Sequence, residues 1–135
     1  MDKAMNAFGA AICSGPLELR VRHIDALTLM MRPSNTIKKE VSEIVYSWFA
    51  ELGEPFPSVL LSYASKPFPE IRIATLRLFD QLFKYDWAVR RFIVLAGFVV
   101  LLFELSYLHY FRYIRVSISY CRRELILLQK EHKFK

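Results

Sequence analysis

An all-α fold of stacked helical repeats is the architecture this sequence predicts, on three observations. The first is self-similarity: Glu18, Leu19, Arg20, Val21, Ile24 and Leu27 align at a constant offset of 52 residues with Glu70, Ile71, Arg72, Ile73, Leu76 and Phe79. The second is the shared form of the two segments. Each has a proline-bounded start, a carboxylate near the positive end of the helix dipole, and apolar residues about three apart that face a neighbouring helix. Such units bury their apolar faces only against the next unit, which makes protein binding the function to look for. The third is the lack of β-patterning: no hairpin turn or alternating run competes before the tail, where residues 113–120 alternate in part and fit strand or helix.

The elements follow in order. A first short helix, about residues 3–13, ends at Ser14-Gly15-Pro16, a turn that stops it and opens the next. The second runs to about residue 31 with a stripe of Leu17, Val21, Ile24, Leu27 and Met31, and Arg32-Pro33-Ser34-Asn35 ends it. The third, about residues 36–52, has the clearest pattern. Ile37, Val41, Ile44, Val45, Trp48, Phe49 and Leu52 form one stripe, with Lys38, Lys39, Glu40 and Glu43 mostly off it. Gly53-Glu54-Pro55 breaks the chain, and a short helix over about 57–65 carries Val59, Leu60 and Tyr63.

The fifth helix, from Pro69 to about residue 84, is apolar on two faces: Ile71, Leu78 and Leu82 on one, Ile73, Leu76, Phe79 and Phe83 on the other. A helix wrapped by neighbours on both sides reads this way. Asp86 is a candidate N-cap for a further helix, and Trp87 reads as a core anchor.

A chain of 135 residues is naturally one domain. Its apolar fraction of 54% exceeds the about 45–50% of ordinary soluble domains, which points to partners, further repeats or a membrane. The net charge of +6 is unevenly spread. Residues 1–105 hold twelve Lys and Arg against eleven Asp and Glu, whereas residues 106–135 hold seven against two. That tail interleaves Tyr107, Tyr110, Phe111, Tyr113 and Tyr120 with Arg112, Arg115, Arg122 and Arg123, a composition able to grip phosphates and stack bases. No recognised nucleic-acid motif accompanies it, so no nucleic-acid partner is expected.

Residues 92–103 carry no polar side chain, and 92–111 holds Glu104 as its one firm charge. Spanning a bilayer takes about twenty apolar residues, so the stretch is just long enough. Glu104 opposes insertion, at about 2.5–3.5 kcal/mol near a helix centre. A buried helix pair hinged at Gly97 is the expected reading. The alternative is a small membrane-anchored protein that uses residues 92–111 as a transmembrane or interfacial helix.

Enzymatic chemistry finds no foothold. Gly9, Gly15, Gly53 and Gly97 are isolated, so no phosphate-binding loop or dinucleotide fingerprint can be drawn. His23, His109 and His132 have no neighbour at a ligand spacing, and Cys13 and Cys121 form neither a disulfide framework nor a metal pair. They read as reduced intracellular thiols, with Cys13 a core filler. Glu40 and Glu43, one turn apart, read as a solvated face, and residues 1–10 show no secretory signal. The expectation is a chain that is not an enzyme, with no catalytic, cofactor-binding or metal-ligating residues. The aromatic content of 15% suits a binding surface and a packed core alike.

Specific residues carry a family resemblance. Pro67-Phe68-Pro69-Glu70-Ile71, then Ala74, Leu76 and Phe79, Trp87-Ala88 and Gly97-Phe98-Val99, resemble the C-terminal part of the 26S proteasome non-ATPase regulatory subunit 5 family. Pro16-Leu17-Glu18-Leu19-Arg20-Val21-Arg22, Asp25-Ala26 and Ser47-Trp48-Phe49 look like the same family in the same order, and the similarity covers roughly residues 9–105. The resemblance implies an armadillo- or HEAT-like α-solenoid, of which this chain is a fragment with a divergent basic tail. It divides the chain into a helical-repeat domain, residues 1–105, and a basic aromatic-rich tail, residues 106–135. It also implies a non-enzymatic chaperone of proteasome base assembly, without cofactor, cytoplasmic and also nuclear. Its partners would be base ATPase subunits and base-assembly intermediates. No local motif marks the contacts, so the partner-binding residues stay unassigned.

Overall fold

Prolines and first-turn acids set the helix starts. α2 (Leu17–Met30) follows Pro16, α4 (Phe56–Ser65) carries Pro57 in its first turn, and α5 (Pro69–Leu82) opens on proline itself. Proline suits these positions because its missing N–H would be an orphan there anyway. Among the described residues α1 (Asp2–Ser14), α3 (Lys39–Glu51) and α6 (Asp86–Ile93) join them, and residues 98–101 are helical again. These elements come from a computed structural model, which describes residues 2–95 and 97–101. No side-chain cap bond closes the starts of α2 to α6; instead Glu18, Glu40, Glu70 and Asp86 place a carboxylate in the first turn of α2, α3, α5 and α6.

Three boundaries differ from the sequence pattern. α3 begins at Lys39, three residues later than its stripe suggests, because the Ser34 hydroxyl donates to the Thr36 carbonyl and Lys38 is extended. Ile37 therefore precedes the helix. α5 ends at Leu82, with Phe83 as its cap. Asp86 is the first helical residue of α6 and Tyr85 the N-cap, so the aspartate acts on the helix dipole rather than as a cap.

The helices stack in two layers. α2 packs most extensively on α5, α1 lies on α2 and α3, and α4 lies on α5 and reaches α1. α1 and α4 thus form one layer, α2 and α5 the other. The 52-residue repeat is visible in this packing: Ile24 and Leu27 of α2, and Leu76 and Phe79 of α5, are all buried.

It is visible in hydrogen bonds too. His23 Nδ1 lies 2.6 Å from the Leu19 carbonyl oxygen, and at the paired positions the Thr75 hydroxyl donates to the Ile71 carbonyl at 2.7 Å. The paired arginines, Arg20 and Arg72, each donate to a carbonyl in the turn ahead of their helix, Gly15 and Lys66 respectively.

Aromatic rings close the far end of the core. Phe92 of α6 meets Phe49, Phe79, Phe83 and Phe98, with centroids 5.2 to 5.9 Å apart. α6 stops at Ile93, and Gly97 takes a φ of +86°, a left-handed turn that suits glycine, before the chain turns helical again. The apolar run therefore starts as the end of α6 and a second helical stretch parted at Gly97, with Phe92 and Phe98 buried and Val94 and Val100 exposed; of the expected hinged helix pair, only this beginning lies within the described residues. Among the described residues no helix is long and apolar enough to cross a membrane. The rest of the run, Glu104 included, lies outside the described residues, as do the tail, His109, His132 and Cys121.

Candidate partner-binding surface

The α3 stripe divides in two. Val45, Phe49 and Leu52 are buried and Trp48 is partly buried against the core, whereas Val41 and Ile44 are exposed, Ile44 to 50%. Ile37 is exposed in the segment just ahead of the helix. Together these three make an apolar ridge along one edge of α3. The width of the stripe carried the signal: Ile44 and Phe49, five residues apart, stand about 140° apart on a helix, wider than the roughly 100° stripe that faces a core.

Ile37 also lines a groove of about 400 Å³, with Lys39, Ser42 and Glu43 of α3 on one wall and Lys84, Tyr85 and Asp86, at the α5–α6 junction, on the other. Its charges are of both signs, so it favours neither a polyanion nor a polycation. On the groove side of α3, exposed Tyr46 stands edge-on to Trp87 at 5.3 Å, and Trp87 stacks on Tyr85 at 5.5 Å. Trp87 is a partly buried member of the core edge, and its buried Nε1 has no acceptor among the described residues. The exposed Glu54 pairs with Arg91 at 3.5 Å, a surface contact of little energetic weight.

The remaining candidates are dispersed. Cys13 is partly buried against the core, and burial pushes its thiol up against the opposing pull of Arg20. His23 is partly buried, edge-on to Phe8 at 5.0 Å. Glu40 and Glu43 are both exposed. Burial raises the Asp80 carboxyl, with Lys84 opposing, and the other carboxylate of α5, Glu70, stands ten residues away in the first turn. Among the described residues no group of three or more His, Cys, Asp or Glu is placed to hold a metal ion. What the surface offers is an exposed apolar ridge, a form that can receive a helix or an extended segment of another protein.

Comparison with known sequences places this fold. The sequence model of the proteasome non-ATPase 26S subunit family matches residues 1–106. The chain belongs to this family. The human 26S proteasome non-ATPase regulatory subunit 5 is 28% identical over 109 residues, which cover 80% of this chain and 22% of that protein. Its Bos taurus counterpart is 26% identical over 108 residues, with the same 80% and 22% coverage. The chain thus spans about a fifth of the length of the curated relatives it matches. No solved structure matches it. The proteasome-family match takes in α1 to α6 and with them the α3 ridge.

Proposed function

We propose that this chain is a non-enzymatic protein-binding module that serves assembly of the proteasome regulatory particle base by holding ATPase subunits. The family match over residues 1–106 carries the reading. The open apolar ridge Ile37, Val41 and Ile44 supports it by supplying a surface for a protein partner. In this reading the helices form a stack of armadillo or HEAT type, residues 1–105 are the working domain, and residues 106–135 are an appended basic tail. The mechanism is occupancy: a stiff helical surface holds an ATPase intermediate and blocks premature contact with the proteolytic core. The compartments this implies are the cytoplasm and the nucleus.

Co-purification with the tagged chain tests it. Free proteasomal ATPase subunits and small base intermediates should be recovered in preference to completed 26S particles. Capture should be weaker than by the full-length human relative, because interfaces below about 1,200 Å² tend to be transient. Equal recovery of completed particles and free subunits, or recovery of neither at high concentration, overturns the proposal.

A further inference from the structure

The start of α3 turns on a single carbonyl. α3 begins at Lys39 behind an extended Lys38, with no side-chain cap, and the Ser42 N–H is the first of its amides to find a backbone acceptor, the Lys38 carbonyl at 3.0 Å. Carrying the helix back to Thr36 would add two bonds, from the Glu40 N–H to the Thr36 carbonyl and from the Val41 N–H to the Ile37 carbonyl. The first of these acceptors is already in use: the Ser34 hydroxyl donates to the Thr36 carbonyl at 2.8 Å. A helical Thr36 aims its carbonyl forward along α3, away from Ser34, so the two bonds exclude each other.

The residues ahead of α3 are nonetheless suited to helix. Thr36 is of the side-chain type that caps a helix start well, and Lys38, which holds that position in the structure, is not. The repeat agrees. α2 and α5 coincide end for end under the offset of 52, Leu17 with Pro69 and Met30 with Leu82, and the same offset pairs Ser34 with Asp86, the first residue of α6. Positions 34–38 are thus held out of the helix in the first unit, where their counterparts are helical in the second. Lys38 and Lys39 pull the other way, because cations are unfavourable at the positive end of a helix dipole. Capping and backbone bonding therefore oppose charge, and residues 34–40 are all exposed, so no burial locks the choice.

We propose that residues 36–38 are a two-state first turn of α3, open while Ser34 holds the Thr36 carbonyl, and helical with Thr36 as its cap when that bond breaks. The consequence falls on the ridge. In the closed turn Ile37, Val41 and Ile44 stand at i, i+4 and i+7 on one helix face, whereas in the open turn Ile37 lines the groove with Lys84 and Tyr85. The turn thus sets how far the ordered ridge extends. The device is contained in residues 34–44 and holds whether or not the ATPase reading does.

NMR on the full chain, reading Cα shifts and amide exchange, tests it. Ser34→Ala removes the competing donor and should raise the closed-to-open ratio about fivefold, the worth of one hydroxyl–carbonyl bond. Ile37 and Lys38 should then shift toward helical values, and the Glu40 and Val41 amides should gain protection. Thr36→Val keeps the shape but removes the cap, so adding it to Ser34→Ala should reverse those gains. The amides of Val45 and Phe49 should be unchanged in both variants. No change in Ser34→Ala, or an equal gain in the double variant, overturns the proposal. So does a gain that extends equally to Val45 and Phe49, since the whole helix rather than its first turn has then been stabilised.

Discussion

The hydroxyl of Tyr85, ahead of α6, donates to the carbonyl oxygen of Met31 at 2.9 Å, and both groups are buried. Met31 caps α2, so its carbonyl has no partner within the helix. Tyr63 does the same one layer away: its hydroxyl donates at 2.6 Å to Ile12, in the last turn of α1, while accepting from Arg20 at 3.3 Å. Two tyrosines thus satisfy two helix ends contributed by the preceding repeat. In each case a local problem of α-helix termination is solved by a residue more than 50 positions away.

Removing the first of these bonds has a defined cost. Tyr85→Phe leaves the buried Met31 carbonyl unsatisfied, which should lower unfolding free energy by about 1–3 kcal/mol. Chemical denaturation reads it as a fall in midpoint at constant slope. Burial raises the Tyr85 phenol above its ordinary 10.0, so the fold favours the protonated form. Its contribution is complete below pH 10 and is lost as pH rises through the elevated folded value. The parent should therefore lose stability in alkali more steeply than Tyr85→Phe, and parallel alkaline curves would count against this assignment.

Leu76 and Trp48 separate the core from its edge. Leu76 is fully buried on α5, and Leu76→Ala should cost about 2–5 kcal/mol. Trp48 is only partly buried, so Trp48→Ala should cost less than the roughly 3–5 kcal/mol of a fully buried tryptophan. Thermal melts of the two variants check the order, and a reversed order would mean that α3 is seated differently on α1.

Gly9 lets α1 approach the backbone at the end of α3. A Cβ there would lie 2.0 Å from the Leu52 carbonyl oxygen, and backbone rather than a movable side chain stands in its way. Gly9→Ala should therefore destabilise by about 1–3 kcal/mol, although alanine favours helix. A melting temperature equal to or above the parent's would show that α1 and α3 do not meet there.

The local features were legible in the residues. Proline and glycine placement located the breaks before α2, α4 and α5, and the three-four spacing located the faces of α2 and α5. Both signals act over a turn or two of helix, a range that sequence displays directly. The pairing of Glu18 to Leu27 with Glu70 to Phe79 was equally readable, and the family match over residues 1–106 agrees with the resemblance those segments carry.

Burial was a different matter, because it depends on which helices arrive from elsewhere in the chain. Val41, Ile44, Val45 and Phe49 belong to one apolar pattern, yet only Val45 and Phe49 have neighbours over them. Leu19 and Ile71 occupy the same repeat position and differ only in what covers them. The start of α3 likewise yielded to a long-sighted reading of its stripe only in part, since the Ser34 to Thr36 bond holds the preceding segment out of the helix. The repeat pattern determined the helices and their apolar faces; the stacking order alone decided which faces became core and which remain exposed.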